Sequence, residues 1–113
     1  MLISATLIPL ALAAGSADQL EDARIAYTHC LIRLHNTSVD EQITVPAFKA
    51  KIKTACLEER AKYHASVVAS ERGYGASSAE ATEYADEEIA DLIDGFNYDF
   101  SQNREVKTKL VIE

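Results

Sequence analysis

Two cysteines, Cys30 and Cys56, constrain this 113-residue chain more than any other feature of it. Each falls on a stripe of apolar residues spaced three and four apart, the spacing of one face of an α-helix. Around Cys30 the stripe is Leu20, Ala23, Tyr27, Cys30, Leu31 and Leu34; around Cys56 it is Phe48, Ile52, Ala55, Cys56, Tyr63 and Val67. A Cys30–Cys56 bond sets the register of an antiparallel pair. Tyr27 then lies level with Glu59, Ala23 with Tyr63, and Leu34 with Ile52, which largely lays one stripe on the other. The pair is therefore expected to form a structural disulfide, as an even cysteine count does in an oxidising compartment. A redox pair would read Cys-x-x-Cys at a helix start, and zinc would need four ligands; neither pattern is present. In a cytosolic protein the alternative is two buried free thiols.

The first residues bear on that choice. Leu2 to Ala14 is apolar, and no side chain before Asp18 is charged. The run is shorter than the ~20 residues that cross a bilayer. Small residues follow, so that cleavage after Ala13 or after Ala17 suits a signal peptidase. Residues 1–17 are expected to be a secretory signal peptide, although a basic residue before the apolar run is missing. An apolar first helix is the other reading, disfavoured by Pro9. Residues 18–113 form the expected single domain, periplasmic or secreted.

Three amphipathic segments follow. The first helix is expected over 18–36, with acids in its first turn and Arg33 and His35 near its end, as the helix dipole favours. A polar stretch, 36–45, reads as a loop. Pro46 opens the second helix, expected over 46–72 and stopped by Gly73-Tyr74-Gly75. Ser77 and Glu80 have capping-box spacing and start a third helix, expected over 78–103. Its stripe is Ala81, Tyr84, Ala85, Ile89, Leu92, Ile93, Phe96 and Phe100, interrupted by Gly95. Phe96, Tyr98 and Phe100 also alternate, so a short strand pairing with Val106 to Ile112 is the less favoured alternative to a helix there. A frayed tail is expected from about residue 104. Short connections make neighbours antiparallel, so the expected fold is an all-α, up-down-up three-helix bundle with one inter-helix disulfide.

Function is written less plainly. His29, His35 and His64 are far apart in the expected register and read as solvated or half-exposed; no metal site is expected, and no cofactor. No nucleophile elbow, zinc-protease, phosphate-loop or dinucleotide motif occurs, so the protein is not expected to be an enzyme. Asp94 to Asp99 lacks the spacing of a calcium loop. Asn36-Thr37-Ser38 fits a glycosylation sequon in the expected loop. The net charge of −7 disfavours nucleic acid and docking on anionic lipid.

The third helix carries most of that charge, with no basic residue before Arg104, while the second carries Lys49, Lys51, Lys53, Arg60, Lys62 and Arg72. One expectation is that the two helices lie side by side and their charges pair. The functional alternative is an acidic face of Glu80, Glu83, Glu87, Asp91 and Asp94 that docks a cationic protein or peptide. The leading expectation is thus a non-catalytic protein- or peptide-binding module, with an inhibitor, immunity-type or chaperone-like role. Self-association as an assembly component, and an acid-responsive chaperone, are the other readings.

Overall fold

The protein is described by a computed structural model over residues 8–112, with side chains from Ala17 onward. It is all-helical: α1 spans Ile8–Glu41, α2 Val45–Ile52, α3 Leu57–Gly73 and α4 Ser78–Val106, with no strand among the described residues. The bundle has four helices rather than the expected three. Residues 1–7 of the expected signal segment lie outside the described residues. From Ile8 onward the helix runs unbroken past Ala13 and Ala17.

The disulfide Cys30–Cys56 is present, with Cα atoms 6.1 Å apart. It ties the middle of α1 to the start of α3, and the two helices pack closely and antiparallel. Tyr27 meets Tyr63 rather than Glu59, with ring centroids 6.1 Å apart. The expected register is therefore right to within about one helical turn. Helix α3 also packs along α4, while the short α2 lies against the far end of α4. The up-down-up order survives, because α2 and α3 together occupy the second leg.

That second leg is broken where an unbroken helix was expected. Residues 53–56 leave the helix, and Cys56 adopts a left-handed backbone with φ 56°. The cysteine expected mid-helix is thus the N-cap of α3. Tertiary packing accounts for the break, because the two halves have different neighbours. In α2, Phe48 stacks on Phe100 of α4, with centroids 4.2 Å apart and planes at 10°. In α3, Tyr63 and Val67 are buried towards α1 and α4. Arg60 bridges the break, donating from Nη2 to the Ile52 carbonyl at 2.9 Å and from Nε to the Tyr27 hydroxyl at 3.2 Å. A helix-end carbonyl is thereby satisfied.

The first helix also runs further than expected, to Glu41, so the loop shrinks to residues 42–44. Its last turns look polar but bury His35, Ser38 and Val39 completely or nearly so. The exposed position expected for His35 is thus overturned. Its ring stands edge-on to Phe48 and Phe100, at 6.5 and 6.1 Å. Its Nδ1 bonds Asn36 Oδ1 at 2.8 Å, and its Nε2 bonds Asn103 Nδ2 at 3.2 Å. Asn36 cannot be turned round, because Oδ1 accepts from the Leu110 amide and Nδ2 donates to the Leu110 carbonyl, both at 2.8 Å. His35 therefore donates from Nδ1 to Asn36.

Two further expectations fall with Asn36. The sequon lies in a helix, with its amide committed to Leu110. The C-terminal tail is docked rather than frayed: α4 continues to Val106, Lys107 turns the chain with φ 59°, and the tail follows α1 backwards. Lys109 pairs with Asp40 at 2.8 Å, Leu110 with Asn36, and Val111 lies beside Ile32 and Thr28. Arg104 donates to the carbonyls of Gln42 and Ile43, and Gln42 returns a bond to the Arg104 carbonyl at 2.9 Å. Gly95 interrupts nothing; α4 passes straight through it.

Two outcomes check this architecture. Cys30→Ala with Cys56→Ala should lower the unfolding free energy by about 3–4 kcal/mol in urea titrations, the chain-entropy value for a loop of this length. Asn36→Ala should remove the hydrogen-exchange protection of the Leu110 amide and cost about 1–3 kcal/mol, because it strands the His35 Nδ1 donor.

Candidate functional site

Helix α4 owes its start to Ser77, whose Oγ accepts from the Glu80 amide at 3.1 Å while Glu80 Oε1 accepts from the Ser77 amide at 3.0 Å. From that cap the residues alternate in environment with helical period. Ala81, Ala85, Ile89, Phe96 and Phe100 are buried. Glu80, Glu83, Glu87, Asp91 and Asp94 are all exposed. At 100° per residue these five acids fall within one third of the helix circumference, opposite the buried set. The structure thus brings the expected acidic residues onto one face.

It does not pair them as one of the two expectations required. Among the described residues, Lys62 bonds Glu58 within α3, Lys51 bonds Glu41 of α1, and Arg24 bonds Glu21 within α1. Arg60 is turned to Tyr27 and Ile52. None of the five stripe acids takes part in an ion pair among the described residues. The one contact of this kind between α3 and α4 is His64 Nε2 to Asp86 Oδ1, at 2.8 Å, on the flank of α4 beside the stripe. The idea that flanking charges choose the helix partner is therefore not supported by the pairing observed. The α3–α4 contact is made by Tyr63, Val67, Ala85 and Ile89 of the apolar core instead.

The five acids are not equivalent. Glu80 is held below the usual glutamate range, first by its bond from the Ser77 backbone and then by the Ser77 side chain. It is a helix cap as well as part of the face. Its carboxylate favours the folded state above the unfolded pKa, and that contribution is lost as pH falls through the lowered folded value. Glu21 is lowered too, by its hydrogen bond from Arg24 and then by charge.

Two neighbouring features escaped the sequence. His64 and Asp86 are far apart in the chain, and only the α3–α4 register brings them together. They edge a shallow apolar cleft of about 500 Å3, whose wall includes Leu57 and Ile89. A second cleft, about 190 Å3, opens between α1, α3 and α4 beside Tyr63 and Tyr84. His29 and His64 are half-buried, and no group of three or more His, Cys, Asp or Glu among the described residues is placed to hold a metal. No helix of the described residues is long and apolar enough to cross a membrane. The disulfide suits an oxidising compartment.

No protein family, curated protein or solved structure matches the chain.

The inequality among the acids is testable. In carboxyl NMR titrations Glu80 should protonate below the ordinary glutamate value, and Ser77→Ala, which keeps the backbone N–H and removes only the smaller side-chain contribution, should raise it part of the way. An ordinary glutamate midpoint for Glu80 in the unaltered chain would place the carboxylate outside the cap.

Proposed function

We propose that this protein is an exported, non-catalytic binding module whose α4 face recognises a cationic protein or peptide. The observation that supports this is the exposed stripe of Glu80, Glu83, Glu87, Asp91 and Asp94, unpaired among the described residues although the chain carries 11 Lys and Arg. Like charges along one helix face repel, so the folded chain keeps the stripe at some cost. A partner of opposite charge would remove that repulsion and be steered to the face. What supports export is the apolar run ahead of Asp18, read as a signal peptide, together with the disulfide. The periplasm or the exterior is the compartment that permits both.

Self-association is the second reading. It is favoured by Ile25 and Val111, exposed apolar residues that share a cleft of about 320 Å3 on the outer side of α1. A strict monomer by light scattering at high concentration would count against it.

The leading reading is tested with an oligolysine peptide as the cationic probe. Its affinity should fall at least roughly tenfold in Glu87→Lys with Asp91→Lys. It should also collapse in ~1 M salt, where the Debye length is about 3 Å. Affinity unaffected by both changes overturns the reading.

A further inference from the structure

Between α2 and the C-terminal half of α4 lies a cleft of about 500 Å3, within the ~300–1,000 Å3 of small-molecule sites. Its two walls are fastened together. The rings of Phe48 and Phe100 stack between the helices, and Arg104 holds the Gln42 and Ile43 carbonyls just ahead of α2. These contacts set the helices in opposite senses, which places Val45 by Ser101, Lys49 by Asn97 and Tyr98, and Lys53 by Asp94. The lysines of α2 and its cap divide by direction. Lys51 pairs with Glu41 of α1. Lys49 and Lys53, which line the cleft, enter no ion pair among the described residues, although Asp94 shares the cleft with them.

Asn97 supplies a second, separate observation. It is partly exposed, yet its Oδ1 is shut away from solvent and has no hydrogen-bond partner among the described residues. A stranded buried carbonyl costs free energy and is rare in folded proteins. The end of the amide that solvent reaches is therefore Nδ2, which offers two N–H donors on the wall opposite Lys49. An apolar residue would avoid the stranded oxygen, so packing does not explain a carboxamide here; an anion for its donors does. Ser101 already donates to the Tyr98 carbonyl at 2.7 Å. Lys49, Lys53 and Asn97 thus carry the free nitrogen donors of the cleft. Val45 and the ring of Tyr98, a residue 65% exposed, give it apolar surface. Two lysines against one aspartate leave the cleft with a charge of +1, in a chain of net charge −7. That balance suits a monoanion, while Asp94 opposes a second negative charge.

We propose that the cleft between α2 and α4 binds a small organic monocarboxylate, its carboxylate held by Lys49, Lys53 and the Asn97 amide and its apolar body against Val45 and Tyr98. The inference goes beyond the acidic stripe and does not rest on it. The two sites share Asp94 alone, and with opposite signs. Asp94 attracts a cationic partner to the stripe and repels an anion from the cleft.

The test uses the full chain, 13C-labelled in its tyrosine rings and lysine ε-carbons, and three probes: 3-phenylpropionate, the uncharged 3-phenylpropionamide and inorganic phosphate. The carboxylate should shift the Tyr98, Lys49 and Lys53 resonances saturably and leave Tyr74 and Lys62 in place. Its Kd should lie at least about tenfold below that of the amide, and phosphate should bind more weakly than the carboxylate. Lys49→Gln and Lys53→Gln should each raise the Kd about threefold, the effect of one exposed charge. Asp94→Asn should lower it, although the same change weakens oligolysine binding. Asn97→Ala should raise the Kd and leave the melting temperature unchanged or higher, because the stranded carbonyl goes with the amide; a merely structural Asn97 would give a fall. Lys62→Gln, on α3, should change nothing. Equal binding of the amide, phosphate bound as tightly as the carboxylate, a silent Tyr98, a Kd unaltered in both lysine variants, or a Kd raised by Asp94→Asn would each overturn the proposal. Oligolysine binding and its salt dependence are read separately, so the stripe reading stands or falls on its own.

Discussion

The structure turns on the buried ring of His35. It touches Phe48 of α2 and Phe100 of α4, bonds Asn103 of α4, and holds Asn36, which in turn holds the C-terminal tail. At one point the ring joins every element except α3. An imidazole suits the position because its two ring nitrogens meet two amides while the ring packs against two aromatic neighbours. A hydrocarbon of the same size would leave the Asn36 and Asn103 groups short of a partner, at about 1–3 kcal/mol for each stranded polar group. The disulfide performs the complementary task at α3. One covalent link and one hydrogen-bonded hub thus cover the whole bundle.

These two fastenings free α4 for another use. Its C-terminal half is fixed by Phe96, Phe100, Asn103 and Arg104, and its N-terminal half by Ala81, Ala85 and Ile89 against α3. Apolar contact and backbone hydrogen bonds suffice, so the acids on the outer face are not needed to hold the helix. Where an acid is used structurally, at Glu80, it caps the helix, and where one is used between helices, at Asp86, it lies off the stripe. The charges left over face solvent on one side, and the cleft between α2 and α4 opens at Asp94, along the edge of that side.

Much of this was legible before any coordinates. The cysteine pairing, the capping box, the core stripe of α4 and the extent of that helix to within three residues follow from local pattern. So does the membership of the acidic face, because five residues on one helix share a face by periodicity alone. What was misread shares one cause. Asn36, Thr37 and Ser38 are weak helix formers, and they read as a loop. They stay helical because His35 and Val39 are in the core and Asn36 has a partner 74 residues away. Residues 53–56 contain neither Gly nor Pro, yet the helix breaks there because Phe48 and Tyr63 are drawn to different neighbours.

By itself the sequence determined the elements, the covalent link and the sign of the exposed face, since each depends on residues near one another in the chain or on a unique pair. Tertiary structure alone decided that the second leg bends at Cys56, that His35 is a hub rather than a surface residue, and that the tail returns to α1. It alone brought Lys49, Lys53 and Asn97 around one cleft. Those arrangements depend on contacts between distant segments, and their energies overrule local propensities that differ by less than about 1 kcal/mol per residue. The Cys30–Cys56 bond supplies the register in which such contacts meet, which is why that pair foretold so much of the frame and so little of what the frame holds.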